Sequence, residues 1–386
     1  MKRRAIRLTA TVLVAMFTTT AISHAAGHRC DNVKHAVDQA IQPLMAKDGI
    51  PGMAVGVLIA GRPCVFNYGV ASTRTKKPVT RNTLFEIGSI SKTFTATLAS
   101  YAQVEGHLSL TENTSRYLPS LKGTPFGNVT PLNLGTHTPG GLPLQVPDAI
   151  LNNDQLLQYL RQWRPTCAPG TCRTYNNISI GTLGLITAKS MSQDFATLEQ
   201  RLFAQLGMKN SFLTIPASRM PDYAQGYTAQ DTPIRMSGGE LSAETYGVRT
   251  TAGDLLRFLQ ANMRQIPLNP KLQTAITNTH TGYFHAGPMT QDLIWEQYPY
   301  PVALNSLLEG NGTAMIFNAT PVTAINPPQK PRSNVWINKT GSTNGFGAYI
   351  AFIPQKQSGI ILLANKSYPI NDRVTAAYQI LTTLEK

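Results

Sequence analysis

Two segments of the chain, one near each end, carry apolar residues at helical spacing. Residues 32–47 and residues 371–384 place apolar side chains three and four positions apart, which predicts two amphipathic helices. Five shorter runs rich in β-branched and aromatic residues are separated by Gly and Pro, a pattern typical of strands. These runs are residues 51–61, 63–72, 334–341, 346–354 and 358–365.

This order of elements predicts an α+β fold, an α/β sandwich. A helix and two strands at the start, with three strands and a helix at the end, predict one antiparallel sheet with helices on both faces. Residues 27–105 and 326–386 would form this sheet lobe, and residues 106–325 an inserted, mainly helical lobe. Because ligands commonly bind in a cleft between two lobes, we expect the functional site there.

The first 26 residues have the order of a secretory signal peptide. A basic cluster at residues 2–7 precedes an apolar stretch at residues 11–17, and small residues follow at Ala25 and Ala26. The alternative, an uncleaved anchor helix, is disfavoured by the three threonines at residues 18–20. No later apolar run approaches the roughly 18 to 20 residues of a membrane span. We therefore expect a mature chain in the periplasm, with no membrane contact.

Composition narrows the class of protein further. Hydrophobic residues make up 42% and charged residues 14%, which excludes a disordered chain or a coiled coil. Thirty-four Lys and Arg oppose 20 Asp and Glu, a net charge of +14, of which the signal peptide carries four. The remaining basic residues are scattered singly, so no nucleic-acid groove is indicated. The seven His residues form no H-x-H or H-E-x-x-H motif, and we expect no metal and no cofactor.

Four cysteines fit an oxidising compartment and allow three pairings. Cys167 and Cys172 flank Ala-Pro-Gly-Thr, and Pro followed by Gly is typical of a type II turn that would bring the two cysteines together. Cys30 precedes the first predicted helix and Cys64 opens the second predicted strand. If the first strand runs back along that helix, these two cysteines lie side by side, which favours a second bridge, Cys30–Cys64. The alternative is four reduced thiols. The spacings do not suit zinc.

The first candidate for chemistry is Ser89-Ile90-Ser91-Lys92, an S-x-x-K motif. Residues three apart lie one turn apart on a helix, so the amine of Lys92 can accept the proton that Ser89 must lose to become a nucleophile. About one S-x-x-K is expected by chance in a chain of this length. The alternative is a helix start with Ser89 as cap and Lys92 in solvent.

A second candidate is Tyr175-Asn176-Asn177, which follows a Gly- and Pro-containing loop. A tyrosinate can serve as a base, and an Asn amide can hold an amide oxygen. The alternative is a half-buried core Tyr175 and a turn Asn177.

The third candidate is Lys339-Thr340-Gly341, at the end of a predicted strand. Lys339 offers a positive charge and Thr340 a hydroxyl, while Gly341 allows another backbone or a ligand to approach closely. This motif is expected by chance only about 0.1 times in such a chain. Three such elements in this order make coincidence a poor explanation.

Together these motifs resemble those of serine β-lactamases and penicillin-binding proteins. With the middle Y-x-N, the chain most closely resembles the class C β-lactamases, the periplasmic cephalosporinases, over nearly all of its mature length. The segments that carry the resemblance are FEIGSISKTFTATLASYA, GGLPLQVPD, WRPTCAPGTCRTYNN, ETYGVRT, LIWE and NKTGSTNGFGAYIAFIP.

The sequence departs from this family at several positions. THTPGG, with His137, replaces the usual TYTAGG or TYSAGG, and Asn176 stands where Ser or Ala is more common. Ser367 and Ile370 stand where many relatives have Asn, while Arg373 is kept. Ile370 is therefore expected to alter affinity or the preferred substrates.

The resemblance implies a role for each motif. Ser89 would attack the lactam carbonyl to form an acyl-enzyme, with Lys92 and Tyr175 sharing the work of base. The backbone N–H groups of Ser89 and Ser342 would form the oxyanion hole. Lys339 would stabilise the tyrosinate and attract the substrate's negative charge.

Substrate contacts are implied in the same way. Gln145 and Asn177 would contact the acylamino side chain of the substrate. Tyr246 would form a wall of the cleft, and Thr340 and Arg373 would face the substrate carboxylate. Glu296 comes near the site in this resemblance, with a structural ion pair as its alternative.

The function implied is hydrolysis of cephalosporins and penicillins by a monomer whose partner is the small-molecule substrate. A D,D-peptidase or penicillin-binding protein would use the same nucleophile but deacylate slowly. An esterase of the same fold usually lacks an intact K-T-G. A non-catalytic penicillin sensor would be fused to a membrane span, and none follows the signal peptide.

Overall fold

The computed structural model describes the backbone of residues 19–385 and the side chains of residues 30–385. Its α-helices are α1 Thr19–Asp48, α2 Lys92–Val104, α3 Pro131–Gly135, α4 Asn153–Gln162, α5 Asn177–Ser190, α6 Phe195–Leu206, α7 Ser242–Thr245, α8 Ala252–Asn262, α9 Pro270–Asn278, α10 Leu304–Gly310, α11 Thr313–Phe317 and α12 Ile370–Leu384. Its strands are β1 Gly52–Ile59, β2 Arg62–Gly69, β3 Phe85–Glu86, β4 Cys172–Arg173, β5 Gly226–Tyr227, β6 Pro233–Ile234, β7 Arg249–Thr250, β8 Gly282–Ala286, β9 Met289–Gln291, β10 Glu296–Pro299, β11 Thr320–Gln329, β12 Val335–Ser342, β13 Gly347–Ile353 and β14 Ser358–Ala364.

Ten of these strands form one sheet in the order β2-β1-β14-β13-β12-β10-β9-β8-β11-β4. Every neighbouring pair in it is antiparallel. The N-terminal hairpin therefore lies beside the three C-terminal strands, and the predicted α+β fold with a sheet built from both chain ends is confirmed.

Half of the sheet was not predicted from the sequence. Strands β4, β8, β9, β10 and β11 come from residues 172–329, nearly all of it a region that the sequence pattern assigned to the helical lobe. Strands β9 and β10 have only three and four residues, too few to display a period of two. Strand β11 is mostly exposed and contains three prolines, which normally argue against a strand. The lobe boundaries near residues 105 and 326 stay a prediction.

Apolar residues on the two faces of the sheet enter two different cores. Adjacent strand residues point to opposite faces, so Val55 lies in one core with Val37 of α1 and Ile380 of α12, whereas Ala54 lies in another with Leu255 of α8. The predicted terminal helices therefore cover one face. Helix α1 begins at Thr19 rather than at residue 32, so Cys30 lies within it and not before it, and α12 begins at Ile370, one residue before the expected start. A third core, containing Leu183, joins α2 and α5 beside the sheet.

Both predicted disulfides are present. Cys30 of α1 pairs with Cys64 of β2 at a Cα–Cα distance of 5.9 Å, and Cys167 pairs with Cys172 at 6.4 Å. Most of the predicted signal peptide, residues 1–18, lies outside the described residues. In the part of the chain that the structure covers, no helix is long and apolar enough to cross a membrane.

Candidate active site

Ser89 lies in a short 3₁₀ turn, Gly88–Ser91, directly before α2 and against the end of β12. The two backbones approach so closely that a Cβ on Gly88 would lie 2.5 Å from the Ser342 nitrogen. A Cβ on Gly341 would lie 2.0 Å from the Ile87 oxygen. Only glycine fits at these two positions, and Gly88 also has a φ of +50°. The strand carrying Ser342 thus lies against the Ser89 turn, as the resemblance implied.

Lys92 lies one turn beyond Ser89 and is fully buried. Its Nζ donates hydrogen bonds to Ser89 Oγ and to the Thr245 carbonyl oxygen, each over 2.9 Å. Burial lowers the pKa of Lys92 to about 8, and the charge of Lys339 acts in the same direction while Tyr175 opposes it. The alternative of a solvent-exposed lysine is therefore wrong.

Tyr175 lies between two ammonium groups. Lys339 Nζ is 4.9 Å and Lys92 Nζ 5.5 Å from the centre of its ring. Burial alone would raise the pKa of Tyr175, but the charges of Lys339 and Lys92, with a hydrogen bond to Ser89, outweigh burial and lower it. The arrangement makes the Tyr175 hydroxyl, next to the serine hydroxyl, easier to deprotonate than that of an ordinary tyrosine.

Lys339 is held by a carboxylate on the neighbouring strand. Its Nζ is 3.3 Å from Glu296 Oε1, and both side chains are nearly inaccessible to solvent. Burial acts to lower the pKa of Lys339, but Glu296 and Tyr175 outweigh it, so the pKa is raised and Lys339 keeps its charge. Glu296 also accepts a hydrogen bond from Asn338 Nδ2 over 3.1 Å. Glu296 is thus an ion-pair partner within the site.

The remaining predicted residues, apart from Arg373, line a cleft of about 950 Å³. At one side Asn177 Nδ2 donates to Gln145 Oε1 over 2.6 Å, which turns both amides toward the same space. Side chains that the sequence analysis named and that line this cleft are Ser89, Gln145, Tyr175, Asn177, Tyr246, Glu296, Lys339, Thr340, Ser342, Ser367 and Ile370.

Arg373, expected to face a substrate carboxylate, lies behind β12 and does not line the cleft. Its side chain is 1% exposed, and its Nη1 donates to the carbonyl oxygen of Gly341 over 2.7 Å and to Ser342 Oγ over 3.0 Å. Its Nη2 donates to the Tyr368 carbonyl. The guanidinium is occupied by backbone carbonyls, so it reaches the cleft only through Ser342.

Two neighbours of Tyr175 were not assigned a role from the sequence. His137 packs on the Tyr175 ring at 4.5 Å between centroids, and burial with three nearby cations lowers the pKa of His137 well below its ordinary value, so the ring is neutral. Arg173 lies 5.5 Å from the same ring and 3.5 Å from Glu296. The one available signal was position, because residues 173 and 175 share a face if the strand continues.

A buried amine hydrogen-bonded to a serine, a phenol between two cations and a close backbone pair beside that serine can together support nucleophilic acyl transfer. Fold and site thus define a serine acyl-transfer enzyme. The chain matches the family model described as Beta-lactamase over residues 37–385. It belongs to the β-lactamase family.

Individual relatives and solved structures place the chain in the same family. The chain is 49% identical over 348 residues to a β-lactamase of Lysobacter lactamgenus, covering 90% of each chain. It is 53% identical to the solved structure of a class C β-lactamase in complex with cefoxitin, with a TM-score of 0.90 and coverage of 92% of this chain and 99% of that one. It is also 58% identical to the D-alanine carboxypeptidase AmpC from Burkholderia cenocepacia, with a TM-score of 0.88 and the same coverage. The predicted class C serine β-lactamase is confirmed.

Proposed function

We propose that this chain hydrolyses the β-lactam ring of cephalosporins and penicillins through an acyl-enzyme on Ser89. The observation that carries the proposal is the 2.9 Å hydrogen bond from the buried Lys92 amine to Ser89 Oγ. A serine hydroxyl is inert at its free pKa, and a neighbouring base of lowered pKa is what makes it a nucleophile.

In acylation, Ser89 Oγ forms a bond to the lactam carbonyl carbon while its proton passes to the Lys92 and Tyr175 pair. The carbon–nitrogen bond of the ring then breaks, and the same pair returns a proton to the leaving nitrogen. The backbone N–H groups of Ser89 and Ser342 stabilise the oxyanion, a contribution of about 3 to 4 kcal/mol per donor in other enzymes. In deacylation, a water near Tyr175 passes a proton to the same pair as its oxygen bonds to the ester carbon. The bond between that carbon and Ser89 Oγ then breaks, and the pair returns the proton to Ser89 Oγ.

Substrate recognition divides the cleft into two ends. Gln145 and Asn177 bind the acylamino group, and Tyr246 forms the wall beside them. At the other end, Lys339 and Thr340 attract the substrate carboxylate. Arg373 supports that end indirectly, because it donates to Ser342 Oγ from behind the strand.

A D-alanine carboxypeptidase activity is the second candidate, since one relative of 58% identity carries that name. Both activities share the acylation step and differ in the rate of deacylation. Burst and steady-state kinetics with one penicillin and one cephalosporin separate them: many turnovers per active site support the proposal, and a stoichiometric burst followed by hours of inactivity supports the peptidase.

The nucleophile is tested by mass spectrometry after incubation with a slowly released β-lactam. The adduct is expected on the peptide containing Ser89 and is expected to be absent from Ser89→Ala. An adduct on Ser91 or Ser179 contradicts the assignment. Dialysis against a chelator is expected to leave activity unchanged.

We also propose export to the periplasm after cleavage following Ala25 or Ala26, and a monomeric mature enzyme. N-terminal sequencing of the protein from a periplasmic extract, with its mass in solution, tests both. An N-terminus at Met1 contradicts the signal peptide.

A further inference from the structure

Arg173 is a buried cation that connects three parts of the active site. It lies on β4, two residues before Tyr175, and its side chain is 2% exposed. Its Nε donates to Gln291 Oε1 and its Nη1 to the Met315 carbonyl oxygen, each over 2.7 Å. Its Nη2 lies 3.5 Å from Glu296 Oε1. One guanidinium thus holds the β9 strand, helix α11 and the carboxylate of β10.

Glu296 is shared between two cations. Its Oε1 is 3.3 Å from Lys339 Nζ and 3.5 Å from Arg173 Nη2. A carboxylate with one negative charge cannot neutralise both, so positive charge remains on the side facing Tyr175. The Lys339 ammonium lies 4.9 Å and the Arg173 guanidinium 5.5 Å from the centre of the Tyr175 ring. An opposite charge at this distance favours the ionised form of a phenol.

The contact with Met315 links this charge balance to the shape of the cleft. Helix α11 has only five residues, and both Met315 and Ile316 line the cleft. Arg173 also lines the cleft. Because the Arg173 guanidinium donates in one plane to Gln291 and Met315, it fixes where this short helix lies relative to β9.

We propose that Arg173 is a positioning residue for the acyl-transfer reaction. Its positive charge shares the negative charge of Glu296, so that Glu296 neutralises less of the Lys339 charge that acts on Tyr175. Its hydrogen bond to the Met315 carbonyl oxygen also holds helix α11 in place at the cleft. The inference rests on the proposed function. It goes beyond it in giving a role to a residue outside the three motifs.

The titratable and charged groups around Tyr175 and Arg173 come from several elements. Tyr175 is influenced by Lys92 of α2, Lys339 of β12 and Glu296 of β10. Arg173 is influenced by Glu296 and Tyr298 of β10 and by Tyr175, and His137 after α3 faces the same three cations. His137 is neutral, and Tyr298 is buried with its pKa raised well above the ordinary value. The balance near neutral pH is therefore set by three cations, one carboxylate and the Tyr175 hydroxyl.

The test is the pH dependence of kcat/KM for three variants. The acid limb of this profile is the fall in activity at low pH as Tyr175 is protonated. In Arg173→Gln, Glu296 pairs with Lys339 alone and the pKa of Tyr175 rises, so the acid limb is expected to move up by about 0.5 to 1 pH unit. The double variant R173Q/E296Q removes the carboxylate as well, and its acid limb is expected to return to the wild-type position or below. Arg173→Lys keeps the charge and the limb, but one ammonium cannot replace both hydrogen bonds, so KM is expected to rise.

A purely structural ion pair predicts a different result. Its loss would lower the midpoint of thermal unfolding and the amount of active enzyme, without moving the limb in R173Q or restoring it in the double variant. An unmoved limb in folded R173Q, or no return in the double variant, overturns the inference. If R173Q does not fold, R173K decides, because an unchanged KM for every substrate overturns the anchoring of α11.

A wild-type control separates this inference from the proposed function. If wild-type enzyme forms no adduct on Ser89, the proposed function fails. If the adduct forms and the limb does not respond to Arg173, only the role of Arg173 fails.

Discussion

Lys92 Nζ donates a hydrogen bond to Ser89 Oγ over 2.9 Å while burial holds the pKa of this amine near 8. The same ammonium lowers the pKa of Tyr175, so it can act by its charge or by moving a proton. Lys92→Arg separates the two, because a guanidinium keeps the charge and does not deprotonate.

If Lys92 moves the proton, Lys92→Arg is expected to lower the rate of acylation by about 100-fold or more. The rate is measured by stopped-flow with a chromogenic cephalosporin. Lys356→Arg, on an exposed turn, is the matched control and should behave as wild type. Acylation at the wild-type rate in Lys92→Arg would mean that only the charge matters.

Tyr175→Phe is expected to lower kcat at least tenfold, a loss of about 1.4 kcal/mol or more in transition-state stabilisation. Since the pKa of Tyr175 is lowered, its base form is present above that pKa and is lost as the pH falls through it. Wild-type activity should therefore decline on the acid side, and the variant should lose that limb. Tyr159→Phe on α4, outside the cleft, is the control. Equal kcat in the two variants would remove Tyr175 from the mechanism.

Gly88→Ala is expected to slow acylation by displacing β12 from the Ser89 turn. The added methyl group would meet the Ser342 nitrogen at 2.5 Å, so one backbone must move. Gly123→Ala is the matched control, because Gly123 also has a positive φ, +79°, but no atom lies within 4 Å of an added Cβ.

We expect Gly123→Ala to cost about 1 to 2 kcal/mol of stability from backbone strain alone, with wild-type acylation. Gly88→Ala should cost more and acylate more slowly, as measured by chemical unfolding and stopped-flow. Equal stability losses with unchanged acylation would show that β12 and the turn are not in the tight contact described.

The strands that position Ser89 and Lys339 could be predicted because each is long enough to show its pattern. Strands β12, β13 and β14 have seven or eight mostly buried residues. β13 and β14 are largely apolar runs, and β12 opens with Val-Trp-Ile before the K-T-G motif. Of the strands that complete the sheet, β4, β8, β9 and β10 have only two to five residues, and β11 is mostly exposed and contains three prolines, so none shows such a run. Sequence reasoning therefore located the nucleophile and the K-T-G motif, but not the five strands that continue the sheet beyond β12.

The charge network around Tyr175 could not be predicted for a different reason. Arg173 and Glu296 are 123 positions apart and meet only because β4 and β10 belong to one sheet. Nothing in the local pattern of either segment specifies the partner. Arg373 illustrates the same limit, since its place behind β12 depends on how α12 packs across the sheet.

Ile370→Asn is expected to change KM for some substrates more than kcat. Ile370 lines the cleft at the first turn of α12, where an Asn amide could donate to an anionic group and the present side chain cannot. Ile370→Val keeps the apolar character and serves as control. Identical constants for both variants across a panel of penicillins and cephalosporins would show that residue 370 does not affect recognition.

The two disulfides should differ in what they stabilise. Cys30–Cys64 closes a separation of 34 residues and Cys167–Cys172 only five, so chain entropy predicts losses of about 4 and about 2 kcal/mol when each pair is replaced by Ala. The shorter bridge ends on β4 beside Arg173, so the C167A/C172A variant is expected to lose turnover as well, whereas C30A/C64A should retain it once folded. Denaturant unfolding and steady-state kinetics measure both effects.

Thiol counting on the denatured, unreduced wild type should find no free thiol. Four free thiols, or a Cys64–Cys167 peptide in a non-reducing digest, would contradict the pairing on which this difference depends.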